Sequence, residues 1–377
     1  MGTGRHQSKS RTGCERCKAR KVKCDETRPV CERCRQCDKE CSYHPSECND
    51  SAWIQMNELA DLPAVGSFDS LDLLLLHHYI TCISLDLVGP KQAYTVWQDI
   101  VPRQAHAYPL LFHGILALAG MHLAIKYMTP EAHPAGRKLS NKYRVRALVH
   151  RHKGLRQFHR ALDSKLEVNQ EQMPCLLRFN CMLIISAFAI PLTDEESSVS
   201  IEDVLMVFQL CRGGYELYRS SRDPWREQST QGIIFAENSR ATHRFCTTAE
   251  GSMNGCMARQ DRPVIRASLE GLMLSQSWAY KSGMDLRLLS SWPSLCSDEF
   301  VEELKQRTSD SLDVLAQYSH VLAMCRDRWW IASWPQLLLR AIDGCLSEEA
   351  KIRMAWNIDD NLVALESGQS VYKSMPC

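Results

Sequence analysis

The chain has 377 residues, and the motifs it lacks exclude most enzyme chemistry. No G-x-S-x-G, P-loop or H-E-x-x-H occurs, and no strand leads through a Gly-rich turn into a helix. Esterase, nucleotide-hydrolase, zinc-protease and dinucleotide chemistries are set aside, and the chain reads as a non-enzyme. His77-His78 and His150-Arg151-His152 fall in helical patterns and read as core or surface residues rather than catalytic bases. The first residues, MGTGRHQSKSRTG, contain no apolar h-region, so a reducing compartment is expected. The longest apolar stretch, Met182 to Leu192, falls short of the roughly 20 residues a bilayer helix needs, and no membrane span is expected. Strand signals are scarce, and no sustained a/d heptad repeat is present.

Cysteine is not lacking. Of 18 cysteines, Cys14, Cys17, Cys24, Cys31, Cys34 and Cys41 follow the spacing C-x2-C-x6-C-x6-C-x2-C-x6-C, two copies of one half. Between Cys14 and Cys41 the other clearly apolar residues are Ala19, Val22 and Val30, too few for a core. Clustered C-x2-C pairs under reducing conditions read as metal sites, and zinc takes four tetrahedral sulfurs. Six thiolates fill the eight positions of two zinc ions if two of them bridge. The repeat symmetry makes Cys14 and Cys31 the bridging pair. One ion would then take Cys14, Cys17, Cys24 and Cys31, and the other Cys31, Cys34, Cys41 and Cys14. Cys37 breaks the repeat and reads as a spare thiol.

Charge is unevenly spread. Residues 1–44 hold twelve Lys and Arg against six acids, whereas the rest holds 33 basic and 38 acidic side chains, so a net +1 conceals a +6 head and a −5 body. That asymmetry is the footprint of a nucleic-acid reader. The run Lys18 to Lys23 lies between two metal ligands and is expected on one short helix, with its N-terminal end entering the major groove, where Lys or Arg reaches guanine O6 and N7. A nuclear-import signal can share the same run.

Residues 11–44, RTGCERCKARKVKCDETRPVCERCRQCDKECSYH, resemble the fungal binuclear zinc cluster of the galactose-regulator type. The resemblance implies two Zn2+, a nuclear location and double-stranded DNA with CGG-like triplets as partner. It also makes Pro29 the loop proline between the halves, often cis in that family. Lys21 is expected to meet bases with Lys18 in support, and Arg16, Arg20, Lys23, Arg33 and Arg35 to meet phosphates.

Residues 45–68 read as a linker, and residues 69–370 as an all-α body, giving a mostly α protein with a small zinc-organised head. Pro109 opens a helix in which Leu111, Ile115, Leu118, His122 and Ile125 share a face; it is apolar almost all round and expected to be buried. Further helical patterns cover Arg137 to Leu166, Met173 to Ile190 and Ile201 to Tyr218. Residues 219–262 read as a loop or partly disordered insert, where His243, Cys246 and Cys256 lack a fourth metal ligand. Val314, Leu315, Tyr318 and Leu322 form a stripe ahead of Trp329, Trp330 and Trp334. Ile358 to Glu366 mixes acids with apolar residues as a weak activation-segment candidate.

The body's LDLLLLHHYITCISL, YPLLFHGILALAGMHLA and Tyr-then-Trp segments resemble the helical regulatory domain of the sterol uptake control proteins. The resemblance implies a transcription factor for RNA polymerase II genes, either of a biosynthetic gene cluster or of lipid and sterol metabolism. It leaves open a hydrophobic ligand in the body and a homodimer through it. The alternative is a zinc-held protein–protein module whose body senses a sterol-like ligand.

Overall fold

The computed structural model describes residues 14–25, 27, 30–37, 39, 41, 68–87, 96–128, 134–163, 172–194, 197–220, 262–282 and 286–367. Two compact units divide at Leu71 and Asp72. No strand occurs among the described residues. Pro29, the linker at 45–67, residues 221–261 and the His243, Cys246 and Cys256 group lie outside them.

The head contains two five-residue helices, α1 (Glu15–Ala19) and α2 (Glu32–Gln36). Helices this short are not stable from propensity alone.

The body opens with α3 (Ser70–His78), which continues through a π turn at Tyr79–Ile83. A second π turn at Val96–Ile100 enters α4 (Val101–Ala107). Then come α5 (Pro109–Tyr127), α6 (Pro134–Asp163), α7 (Met173–Ala189) and α8 (Ile201–Ser220). The remainder is α9 (Pro263–Ser282), α10 (Leu286–Leu295), α11 (Asp298–Lys305), α12 (Ser309–Ala323), α13 (Trp334–Cys345), α14 (Glu348–Met354) and α15 (Ile358–Ser367).

Two helices, α5 and α7 with its 3-10 extension to Thr193, are long and apolar enough to cross a bilayer. The sequence reading, which counted only uninterrupted apolar residues, missed this because Arg178 and Asn180 punctuate α7. Other helices cover 72% and 94% of their apolar windows, so these are the central helices of a core. Close approach makes this packing possible. A Cβ on Gly120 of α5 would lie 2.9 Å from the Tyr143 carbonyl oxygen and 2.9 Å from the Ala147 Cβ of α6. One on Gly154 would lie 2.6 Å from the Phe179 ring.

The expected stripe is core: Val314, Leu315, Tyr318 and Leu322 are buried, as are Trp330 and Trp334. Three buried aromatic side chains donate to backbone carbonyls. Trp334 Nε1 donates to the Phe188 carbonyl (2.6 Å), Trp292 Nε1 to Ser268 (2.9 Å) and Tyr318 Oη to Leu289 (2.8 Å). Helix α15, holding the acidic-apolar candidate segment, packs on α13 and buries Leu365.

His78 and His150 are buried and have structural roles. His150 Nε2 donates to Asp72 Oδ1 at 2.9 Å, and Arg146 binds the same carboxylate through Nε (2.7 Å) and Nη2 (2.5 Å). His113 Nδ1 lies 2.9 Å from His150 Nδ1, and His78 Nε2 lies 2.8 Å from His122 Nδ1. Burial raises the Asp72 carboxyl, but His150 and Arg146 outweigh it and hold the group down at about 2. Burial pushes His78 down to about 3, and His113 and His122 down to about 4, so all three are neutral at pH 7. His77 and His152 are exposed.

Candidate metal centre and nucleic-acid interface

Each half of the head begins with a cysteine as helix N-cap. The Cys14 sulfur accepts the Cys17 backbone N–H (3.4 Å), and the Cys31 sulfur accepts that of Cys34 (3.4 Å). An N-cap and the residue three positions on share one side of the first turn, which is why C-x2-C brings two sulfurs together. Cys24 and Cys41 follow the two helices and rejoin the cluster, and Cys41 Sγ accepts the Cys31 N–H at 3.3 Å.

The sulfurs fall into two overlapping groups, Cys14, Cys17, Cys24, Cys31 and Cys14, Cys31, Cys34, Cys41, each within 4.8 Å. Cys14 and Cys31 belong to both. The sulfur separations Cys14–Cys31, Cys14–Cys34 and Cys17–Cys31 are all 3.8 Å. Four sulfurs at about 2.3 Å from a tetrahedral zinc stand about 3.8 Å apart, so the donor set fits the metal in type, number and spacing. Cys37 is exposed and belongs to neither group.

Burial acts to raise the thiols of Cys14, Cys17, Cys31, Cys34 and Cys41. At Cys14 and Cys31 it is outweighed, chiefly by the backbone N–H groups of Cys17 and Cys34, and both fall below the ordinary value. Burial and neighbouring thiols drive Cys17 up and Cys34 up to about 12.

The basic run departs from expectation. Helix α1 ends at Ala19, with Arg20 as C-cap, so Lys21 and Lys23 are not on it. Lys21 N–H donates to the Lys18 carbonyl (3.0 Å) and Val22 N–H to that of Cys17 (3.0 Å). This is a Schellman turn, which usually places glycine where Lys21 sits. Lys21 has φ 54°, a left-handed conformation that costs a side-chain-bearing residue about 1 kcal/mol. The N-terminal turn is tied into the sulfur cluster, and the exposed basic side chains gather at the C-terminal end. Lys18, Arg20, Lys21 and Lys23 are all exposed around it, and Arg16 is half-buried. Arg33 is exposed on α2, and Arg35 is paired with Glu32 at 3.1 Å.

One positioning residue escaped the sequence reading. Asp25 Oδ1 accepts the Glu32 N–H at 3.0 Å, and its other oxygen accepts the Thr27 hydroxyl, joining the halves. The Thr27 bond leads the causes that lower this carboxyl. The D-x-T spacing, an Asx-turn signal, was the available clue.

Residues 12–49 match the fungal Zn(2)-Cys(6) binuclear cluster domain, and residues 74–234 match the fungal specific transcription factor domain. The chain belongs to the fungal zinc-cluster transcription factors. Their cluster domain binds two zinc ions, and the family is one of transcription factors rather than enzymes. This zinc-cluster factor is 42% identical over 123 residues to the Zn(2)-C6 fungal-type transcription factor afumD of Aspergillus fumigatus, covering 31% of this chain and 33% of that protein. It is 35% identical over 68 residues to Sterol uptake control protein 2 of Saccharomyces cerevisiae, covering 18% of this chain and 7% of that protein. The zinc-cluster factor thus matches a third or less of the length of these curated relatives.

Proposed function

We propose that this protein works in the nucleus as a sequence-specific regulator of RNA polymerase II genes, reading CGG-like triplets in double-stranded DNA. Cys14, Cys17, Cys24, Cys31, Cys34 and Cys41 hold two zinc ions, with Cys14 and Cys31 shared. The metal fixes where the C-terminal edge of α1 points, and the side chains on that edge do the reading. Lys21 meets base edges with Lys18 beside it; Arg16, Arg20, Lys23, Arg33 and Arg35 meet phosphates.

The observation that carries this reading is the left-handed Lys21 at an exposed helix end. Glycine would hold that turn at lower cost, so a lysine there supports a role for its amine. The regulated genes are, in this reading, those of a biosynthetic cluster or of sterol and lipid metabolism. The likeness to a protein named Sterol uptake control protein 2 supports the second.

The test is selection from random duplexes with zinc-loaded full-length protein, with Cys14→Ala as control. Single CGG-like triplets mean a monomer, and paired triplets at fixed spacing a dimer through the body. No enrichment above the control overturns DNA reading and transfers the basic edge to a protein partner. A sterol that raises the body's melting temperature would add a hydrophobic ligand.

A further inference from the structure

Helix α6 carries nine lysines and arginines and one acid, Asp163, in a body whose net charge is −5. Its inner cations are committed: Arg146 is buried on Asp72, and Arg144 pairs with Asp194 at 2.6 Å. Its outer cations are not. Arg137, Lys138, Arg156 and Arg160 are exposed, and Lys153 is half-buried. No carboxylate pairs with any of these five among the described residues.

Several surface cations elsewhere in the body are paired. Arg103 pairs with Asp99, Arg262 with Glu303 and Asp310, Arg307 with Glu202, and Lys351 with Asp343 and Glu348. The outer face of α6 thus gathers on one helix several exposed cations with no carboxylate partner among the described residues. At 3.6 residues per turn, Lys138, Lys153, Arg156 and Arg160 fall within about 60° of arc, on a helix about 45 Å long. Like charges three and four residues apart destabilise a helix, as at Arg156 and Arg160.

We propose that this face of α6 lies along the phosphate backbone of double-stranded DNA flanking the triplet site, an inference that rests on the proposed DNA-reading function. A protein partner would require an apolar or aromatic anchor at the centre of the patch. Here Tyr143 and Phe158 point inward and are buried, and Val145 is the one markedly exposed apolar residue at mid-helix. Phosphate binding needs no such anchor, only unpaired cations in a row. The 24 linker residues can span at most about 80 Å, so the body stays near the DNA that the head engages. Its remaining surface, richer in acids, favours approach through this face alone.

The test compares zinc-loaded full-length protein with its Lys138→Glu, Arg156→Glu, Arg160→Glu triple variant on a 20-base-pair and a 60-base-pair duplex carrying one selected site. Wild type is expected to bind the long duplex with a steeper salt dependence than the short one. The variant should lose up to about 2.7 of that log–log slope, about 0.9 for each of three phosphates, while its triplet preference on the short duplex is unchanged. A triple Gln variant with the wild-type melting temperature should lose the same length dependence, separating charge from fold damage. Equal slopes for wild type and variants on the long duplex overturn the proposal. So does loss of polyglutamate binding without change on DNA, which would assign the face to an acidic protein. Absent triplet preference on the short duplex counts against the function of the head, and the slope on long duplexes still decides the role of α6.

Discussion

The head and the body are both helical and are held by opposite means. In the head, five-residue helices surround six sulfurs, with Val22 and Val30 as the apolar residues packed against them. In the body, helices of up to 30 residues bury Trp330 and Trp334 against Phe188 of α7, and Trp292 and Tyr318 against Phe208 of α8. The head depends on a ligand for its fold and leaves its side chains free to read. The body depends on apolar burial and spends its aromatics on packing. The same contrast recurs between the halves of the head. Both begin Cys-Glu-Arg-Cys and cap their helices with a thiolate, yet the first continues with Lys18, Arg20, Lys21 and Lys23 and the second with Arg35, Cys37, Asp38 and Lys39. Shared residues build the metal frame, and under the proposed function the residues that differ assign recognition to one half.

Removing zinc should break this comparison most sharply. Structural zinc contributes on the order of 10–16 kcal/mol in small peptides, so a chelator should unfold the head. None of the nine tryptophans lies in the head, and eight of them follow the linker, so tryptophan fluorescence chiefly reports the body and should stay unchanged. A coupled loss of both signals would show that the units do not fold independently.

Next in size is Trp334→Ala, which deletes a buried ring and its bond to the Phe188 carbonyl. It should cost the body about 3–5 kcal/mol by denaturant titration while zinc stoichiometry stays at two.

Acid should act on the body third. His78, His113 and His122 are held below their ordinary 6.5, neutral when folded. The unfolded chain binds more protons below that value, so this stability is intact above pH 6.5 and falls as pH drops toward about 4. The slope is up to about 1.4 kcal/mol per pH unit for each histidine, read from fluorescence-detected unfolding between pH 7.5 and 5. A flat profile would mean that the pairs open before they titrate.

The smallest effects sharpen the contrast within the head. Lys21→Ala and Lys21→Gly should both cut triplet preference by about 1–3 kcal/mol in competition binding. Lys21→Gly alone should strengthen the folded head, by about 1 kcal/mol, because it relieves the left-handed backbone. Preserved preference in both would demote Lys21 to a phosphate contact.

Much of this was legible in one dimension because the relevant spacing is short. Two sulfurs three residues apart meet on one helical turn, so the overlapping groups around Cys14 and Cys31 follow from the cysteine pattern alone. The buried character of α5 was legible from an apolar sequence with no polar side. Less legible was where α1 ends: Lys18 to Lys23 is helix-compatible by propensity, and the return of Cys24 to the cluster forces the turn at Lys21. Likewise, Arg178 and Asn180 disguised α7 as a broken apolar stretch, though both are buried in the core.

The sequence by itself determined the metal, its ligand number, the helical class and the uneven charge, since each depends on residue type and local spacing. Only tertiary structure decided which cations are free. Arg146 and Arg156 are alike in sequence and ten residues apart on one helix, yet one is buried against Asp72, 74 residues away, and the other faces solvent. Burial and pairing are set by what the rest of the chain brings alongside, and no local pattern encodes that.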